Sequence, residues 1–215
     1  MRGVAVLGAT GSIGRSALAV LERHRDRFRV VALTAHRDAE GLRAAAERFD
    51  PTLVALTGDE GDPGWANGAG GLLEAATHPD VDVVVNAVVG AAGLEATVRA
   101  LESGKRLALA NKESLVAGGP LVLDALRRGG GSLVPVDSEH SAILQCLPDG
   151  CPDTVRRLIL TASGGAFREW SEAELAGAKP GDALRHPTWD MGAKITVDSA
   201  TLVNKALEII EAHFL

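Results

Sequence analysis

The sequence predicts an α/β protein: a Rossmann-like, doubly wound parallel sheet covered by helices. Three observations carry this expectation. Short β-branched apolar runs alternate with stretches of helical spacing through the first half of the chain. Those runs are apolar on both faces, as strands buried in a parallel sheet are. A glycine-rich turn, Gly8-Ala9-Thr10-Gly11-Ser12-Ile13-Gly14, joins the first run to the first helical stretch.

Strands are expected at Gly3–Leu7, Phe28–Thr34, Thr52–Thr57, Val81–Val85, Arg106–Leu109 and Ser132–Val136. Helical spacing covers Ser12–His24, Ala39–Phe49, Leu94–Ser103 and Leu121–Arg128. Gly58–Gly71 is dense in Gly, Asp and Pro and reads as an exposed loop. Beyond Asp137 the pattern changes. One strand-like run, Val155–Thr161, precedes a long Gly-, Pro- and Trp-bearing segment from Ala162 to Gly192, too long for an idle connection and so a binding loop or lid. Asp198–Leu215 reads as a terminal amphipathic helix capped by Asp198 or Ser199, with Leu202, Leu207, Ile209 and Ile210 as its apolar positions.

Composition removes several function classes. The 215 residues are 46% hydrophobic and 23% charged, enough to bury a core, which excludes wholesale disorder. Lys and Arg total 22 against 28 Asp and Glu, and aromatics make up 3%, so neither phosphate-backbone wrapping nor base stacking is expected and no nucleic acid is a partner. No apolar stretch reaches the roughly 20 residues of a membrane span. The N-terminus MRGVAVLG runs directly into a strand pattern instead of a signal peptide, so the cytoplasm is the expected location. Cys146 and Cys151 lack the second pair a zinc site needs and read as reduced thiols near a loop.

The glycine turn is the first chemical signal. Gly8 allows a sharp turn, Gly11 a close approach of pyrophosphate to the backbone, and Gly14 close packing of helix on strand, while the helix N-terminus attracts phosphate. The same glycines also suit a plain tight turn. After the second strand stand Ala35, His36 and Arg37, with Asp38 only beyond them. An acid at the strand end selects NAD, whereas a guanidinium suits a 2′-phosphate, so NADP(H) is favoured over NAD, with a solvated loop charge as the other reading of Arg37.

Two further motifs sit at strand ends, where open α/β sheets bind ligands: Leu109-Ala110-Asn111-Lys112-Glu113-Ser114 and Pro135-Val136-Asp137-Ser138-Glu139-His140-Ser141. On an extended backbone Asp137 and Glu139, two apart, point the same way. Glu208 lies one helical turn after Asn204, with Lys205 beside it. Three carboxylates without cysteine suit a hard cation, Mg²⁺ or Mn²⁺, ahead of zinc, although a solvated acidic loop has the same spacing. Leu160-Thr161-Ala162-Ser163-Gly164-Gly165-Ala166-Phe167 is either a second anion cradle or an ordinary glycine turn.

Taken together, GATGSIG, LANKESLV, PVDSEHSAI, LTASGGAF and HPTWDMGAKITVDSATLVNKALEIIEA closely resemble the 1-deoxy-D-xylulose 5-phosphate reductoisomerase family, in the family's order from Gly8 to Ala212. The resemblance implies an NADPH- and divalent-metal-dependent enzyme (Mg²⁺ or Mn²⁺, with Co²⁺ accepted) that rearranges deoxyxylulose phosphate and reduces the product to 2-C-methyl-D-erythritol 4-phosphate in the non-mevalonate route to isoprenoids. It implies residues 1–137 as the NADPH-binding domain and 138–215 as a substrate- and metal-binding catalytic domain of α+β type, partial because family members continue with more of that domain and a helical domain. It also implies a homodimer.

Carried over by motif, Asp137, Glu139 and Glu208 are metal ligands, and Lys112, Glu139 and His186 are catalytic. Substrate contacts fall to Lys112, Ser138, Glu139, Ser163, His186, Trp189, Ser199, Asn204, Lys205 and Glu208. Thr10, Gly11, Ser12, Ile13, His36, Arg37, Asn111, Glu113, Met191 and Gly192 are expected on the cofactor. The competing expectations are an NADPH-binding fragment that is catalytically incomplete, and a dehydrogenase of another phosphorylated or semialdehyde substrate, which would need Cys146 or Cys151 as a thiolate.

Overall fold

A computed structural model of the chain describes residues 1–58, 61–147, 153 and 155–215. The chain divides into two compact units, Met1–Asp137 together with Phe214, and Ser138–His213 together with Leu215.

The first unit is built on strands β1 (Arg2–Leu7), β2 (Phe28–Ala35), β3 (Leu53–Leu56), β4 (Ala66–Asn67), β5 (Val83–Asn86), β6 (Arg106–Leu109) and β7 (Ser132–Pro135). Between them run α1 (Ser12–Arg23), α2 (Ala39–Phe49), α3 (Gly68–Thr77), α4 (Leu94–Glu102) and α5 (Lys112–Gly129). The strands form one sheet in the order β4-β3-β2-β1-β5-β6-β7, and every neighbouring pair is parallel. The chain steps outward from β1 to β4 and then restarts on the other side of β1 with β5. That reversal opens a crevice at the carboxyl ends of β1 and β5.

Alternation along the strands supplies two cores. Val4 and Val6 of β1 join Val30, Leu33, Leu42 and Leu56 on one face, while Ala5 and Leu7 join Val84, Leu101, Leu107 and Leu115 on the other. The β1–β2 register shifts between Val4 and Ala5. Across that irregularity Val31 and Ala32, neighbours in sequence, enter the same core.

The expected strands and helices are present in this unit with shifted ends. Two features were not expected. The stretch read as the Gly58–Gly71 loop contains edge strand β4 and the start of α3, whose glycines mask a helix that buries Leu72, Ala75 and Ala76. Helix α5 begins at Lys112, nine residues before the expected Leu121. Gly118 has φ −138° and Pro120 follows it, so a kink divides the helix and its first half reads as punctuation in the sequence.

The second unit contains α6 (Ser138–Cys146), α7 (Glu172–Ala176), α8 (Pro180–Ala183), α9 (Ala193–Ala200) and α10 (Val203–Phe214), the last of which ends on Phe214. Among its described residues no strand occurs, and helices carry the part of the expected α+β domain that this chain spans. Residues 155–161, expected as a strand, lie outside any ladder, because a strand needs a neighbour to satisfy its amides and carbonyls. Cys146 is an exposed free thiol, and Cys151 lies outside the described residues.

The expected single terminal helix is two helices. Leu202 adopts the left-handed conformation (φ 60°, ψ 8°), which ends α9 and starts α10, so Asp198 and Ser199 lie within α9 and cap nothing in α10. Helix α10 also faces the opposite way from its apolar pattern. Ile209 and Ile210 are exposed, whereas Glu208 and Glu211 are 1% and 0% exposed. Acids on the inward face are tolerable only with partners, and those partners belong to the site described below.

A buried polar network fixes the loops after β5 and β6. Asn86 Nδ2 donates to the Gly93 carbonyl (3.0 Å) and to Thr97 Oγ1 (2.9 Å), while Asn86 Oδ1 accepts from the Val88 amide (3.2 Å). Thr97 Oγ1 in turn donates to Ser114 Oγ at 3.3 Å. Asn86→Ala strands two buried groups and the half-buried Val88 amide and is expected to cost about 2–4 kcal/mol. Thermal unfolding should show a midpoint lowered by roughly 5–15 °C.

Candidate active site

The glycine turn is formed as its sequence requires. Gly8 has φ +82°, and a β-carbon there would press on the Ala87 carbonyl at the end of β5; a β-carbon on Gly14 would collide with the Gly8 carbonyl. Gly11 is the N-cap of α1 and its extended backbone has no capping side chain, so the first amides of α1 face the crevice without a side-chain acceptor. Thr10 and Ile13 flank this opening, Ser12 is the first helical residue, and Ile13 is 45% exposed. The Thr10 carbonyl accepts from the Arg15 guanidinium.

His36 and Arg37 are exposed just past β2, with His36 Nδ1 3.2 Å from Thr57 Oγ1. Asp38, the nearest acid, caps α2 by accepting from the Gly41 amide at 2.9 Å. Its carboxylate is committed to the helix, which leaves the guanidinium of Arg37 as the charge closest to the strand end.

Asn111, expected on the cofactor, is 1% exposed and holds the first unit together. Its Nδ2 donates to the carbonyls of Val88 (2.6 Å) and Gly90 (2.8 Å), and its Oδ1 caps α5 by accepting from the Ser114 amide and hydroxyl. Its side chain therefore shapes the crevice wall. Glu113 lies in the first turn of α5. Lys112, 7% exposed, forms a salt bridge with Asp137, two residues past β7 in the same unit.

In the second unit Glu139 lies in the first turn of α6, a helix and not the extended backbone assumed for the pairing of Asp137 with Glu139. The carboxylate that approaches it within this unit is Glu208, one oxygen of each lying within 4.8 Å of the other. Lys205 Nζ is shared between them, 2.9 Å from Glu139 Oε1 and salt-bridged to Glu208 Oε2. Ser138 Oγ donates to Glu139 Oε2 at 2.6 Å, and Asn204 Nδ2 donates to Glu208 Oε1 at 2.5 Å. The latter pair is the one-turn spacing read from the sequence.

Burial works against the charged form of Glu139, yet the Ser138 hydroxyl and the Lys205 ammonium outweigh it and hold the carboxyl below its ordinary value. Burial likewise opposes the charge on Lys205, and the two carboxylates overcome it, Glu208 more than Glu139, raising the ammonium above its ordinary value. A depressed carboxyl stabilises the fold above its ordinary value and loses that contribution as pH falls through the depressed one. A raised ammonium stabilises below its ordinary value and loses its share as pH rises through the raised one.

Sequence reading missed the residues beneath this pair. His140, 2% exposed, places Nε2 3.0 Å from the Glu208 carbonyl and Nδ1 3.3 Å from Glu211 Oε2. The imidazole stands beside the inward acid at Glu211, and its Nε2 hydrogen on the Glu208 carbonyl ties α6 to α10. The available signal was Glu211 standing one turn after Glu208 on the same face.

A second cluster in this unit joins Ser163, His186 and Ser199. His186 Nδ1 accepts from the amides of Thr188 (3.1 Å) and Trp189 (2.9 Å), so its hydrogen resides on Nε2, which donates to Ser163 Oγ at 3.0 Å. Ser163 Oγ also accepts from the Gly165 amide, leaving its own hydrogen for Ser199 Oγ at 3.3 Å. His186, Trp189 and Met191 line a cavity of about 340 Å³. Trp189 is 63% exposed and is no core residue; Gly192 caps α9.

Residues 4–119 match the family model for 1-deoxy-D-xylulose 5-phosphate reductoisomerase, and residues 133–215 match the model for its C-terminal domain. The chain belongs to this reductoisomerase family. The protein of that name from Symbiobacterium thermophilum is 52% identical over 229 residues, across 100% of this chain and 59% of its own length. The one from Gloeobacter violaceus is 49% identical across 100% of this chain and 58% of its own. A crystal structure of DOX-P reductoisomerase in complex with NADPH, fosmidomycin and magnesium superimposes with a TM-score of 0.93 at 42% identity, over 100% of this chain and 58% of that one. The Zymomonas mobilis enzyme in complex with NADPH gives a TM-score of 0.89 at 47% identity, over 99% of this chain and 57% of that one. The chain thus spans about three fifths of the length of the curated relatives it matches.

Two outcomes are expected. Replacing Lys205→Met leaves the half-buried Glu139 carboxyl without its ammonium, and a carboxyl carbon NMR titration in chelator-treated buffer should find its pKa moved upward. His186→Ala removes the acceptor of two amides, and hydrogen exchange at Thr188 and Trp189 should quicken roughly fivefold to tenfold, as the loss of a bond worth about 1 kcal/mol implies.

Proposed function

We propose that this chain provides the cofactor crevice and the acidic substrate site of an NADPH- and divalent-metal-dependent reductoisomerase. It would convert 1-deoxy-D-xylulose 5-phosphate to 2-C-methyl-D-erythritol 4-phosphate. The observation that supports this best is the sharing of Lys205 between Glu139 and Glu208: an ammonium stands where two all-oxygen ligands meet, which is the donor chemistry of a hard cation.

The residues fit both absent groups. Asp137, Glu139 and Glu208 offer carboxylate oxygens only, which suits Mg²⁺ or Mn²⁺ and accepts Co²⁺. Gly8, Gly11 and Gly14 leave the backbone bare beside the start of α1, where a pyrophosphate belongs, and Arg37 with His36 suits a 2′-phosphate while Asp38 is engaged elsewhere. When bound, the cation polarises the substrate carbonyl and NADPH supplies the hydride.

The chain's own residues do the remaining work in this reading. Lys112, a buried ammonium, stabilises negative charge developing on a substrate oxygen, and Glu139 accepts or returns a proton at its carboxylate. Ser138 binds a substrate hydroxyl. Ser163, Ser199, Asn204 and Lys205 bind the phosphate through hydroxyl, amide and ammonium donors. His186 orients Ser163 through its Nε2 hydrogen and Trp189 through its Nδ1. Trp189 and Met191 then cover the substrate and keep water from it. In this assignment residues 1–137 are the cofactor domain and 138–215 the substrate domain, working as a cytoplasmic homodimer. The homodimer is supported by family resemblance. Among the described residues no helix is long and apolar enough to cross a membrane.

The test is NADPH oxidation followed by absorbance. Turnover is expected only with deoxyxylulose phosphate and Mg²⁺ or Mn²⁺ together, and Glu139→Gln should reduce it at least a hundredfold while NADPH binding, read by fluorescence, stays unchanged. Tight NADPH binding without turnover under any metal supports a cofactor-binding module alone.

A further inference from the structure

The four carboxylate oxygens of Glu139 and Glu208 each have a protein donor. Lys205 Nζ serves Glu139 Oε1 and Glu208 Oε2, Ser138 Oγ serves Glu139 Oε2, and Asn204 Nδ2 serves Glu208 Oε1. These three donors are the side chains to which the reading above gives the substrate's hydroxyl and phosphate. The same hydrogens are thus claimed twice, once by the acids and once by an anionic ligand.

We propose that Ser138, Asn204 and Lys205 form an exchange relay in which binding of a phosphate monoester and binding of a divalent cation promote each other. This inference rests on the proposed metal site. Glu208 is 1% exposed, so water does not readily replace a donor that leaves it. A phosphate that draws the Lys205 ammonium away exposes two carboxylates with a net charge of −2, and the cation enters a site whose internal competitor has gone. In the other order, a cation on the acids displaces one positive charge and up to four hydrogen bonds, and the released donors turn to the anion. Reciprocity is then a thermodynamic requirement: each ligand tightens the other by the same factor.

Other origins of such coupling predict different mutant behaviour. Direct bridging of phosphate oxygen to the cation needs no lysine and survives its loss. General electrostatic attraction between the two ligands also survives. Exchange makes Lys205 an antagonist of the metal when phosphate is absent, so removing the lysine strengthens metal binding. The first unit has a parallel arrangement, since Lys112 neutralises Asp137 there.

The experiment measures Mn²⁺ binding to the whole chain by electron paramagnetic resonance, with and without methyl phosphate. Wild-type protein should bind Mn²⁺ at least fivefold more tightly when methyl phosphate is saturating, and methyl phosphate at least fivefold more tightly when Mn²⁺ is saturating. Lys205→Met should bind Mn²⁺ alone more tightly than wild type and lose the coupling. Ser138→Ala, which removes one neutral donor and leaves every charge in place, should tighten Mn²⁺ by a smaller factor and keeps the idea testable if the Lys205 variant does not fold. An uncoupled wild type, or weaker Mn²⁺ binding in both variants, overturns the relay while leaving the metal site standing. If wild type binds no Mn²⁺ more tightly than Glu139→Gln does, with or without methyl phosphate, the metal site itself fails and takes the relay with it.

Discussion

Every strand of the sheet runs in the same direction, and much of the first unit follows from that constraint. Parallel strands deliver each chain exit to one edge, so the loops after β1, β2, β5, β6 and β7 all emerge together. Those exits carry the glycine turn, His36 and Arg37, the loop under Asn86, the Asn111–Lys112 step and Asp137. A sheet with one antiparallel member would send one of these sets to the opposite edge. The buried amides of Asn86 and Asn111 then fix the exits after β5 and β6 against each other, by bonds to backbone carbonyls that no apolar side chain could replace.

The second unit follows a different rule: charge compensation in place of apolar burial. Its last helix turns Glu208 and Glu211 inward and leaves Ile209 and Ile210 outside, with Lys205 and Asn204 serving the carboxylate of Glu208. Buried ion pairs add little net stability against a well-packed apolar interior, so stability alone does not explain the arrangement. The hydroxyl and imidazole cluster of Ser163, His186 and Ser199 obeys the same rule, with each hydrogen directed at one acceptor.

The first unit was largely legible in the sequence because its signals are local. Periodicity located six of the seven strands and four of the five helices at least in part, and the turn glycines needed no tertiary information. The exceptions have physical causes. Helix α3 and the first half of α5 contain glycines or a proline that a pattern reading treats as breaks, and packing against the sheet overrides them. In the second unit the one-turn spacing of Asn204 and Glu208 was readable, whereas the candidacy of Ser163, His186 and Ser199 came with the family resemblance. The inward direction of α10 was not, because an apolar stripe normally marks the buried face. His140 was hidden for a related reason: its role depends on an acid seventy-one residues away, Glu211, which only the fold brings to it.

The left-handed backbone at Leu202 has a consequence for how the side chains of Ser199 and Asn204 are presented. A leucine in that conformation stores roughly 1–2 kcal/mol, which a glycine would release. Without the break, Ser199 and Asn204 would be five residues apart on one continuous helix, about 500° of rotation, and their side chains would diverge around its axis. With it, Ser199 closes one helix and Asn204 opens another, so two helices with separate axes can aim at a common point. The strained leucine therefore works as a corner piece: a small, permanent loss of folding energy exchanged for an angle that no straight helix can supply.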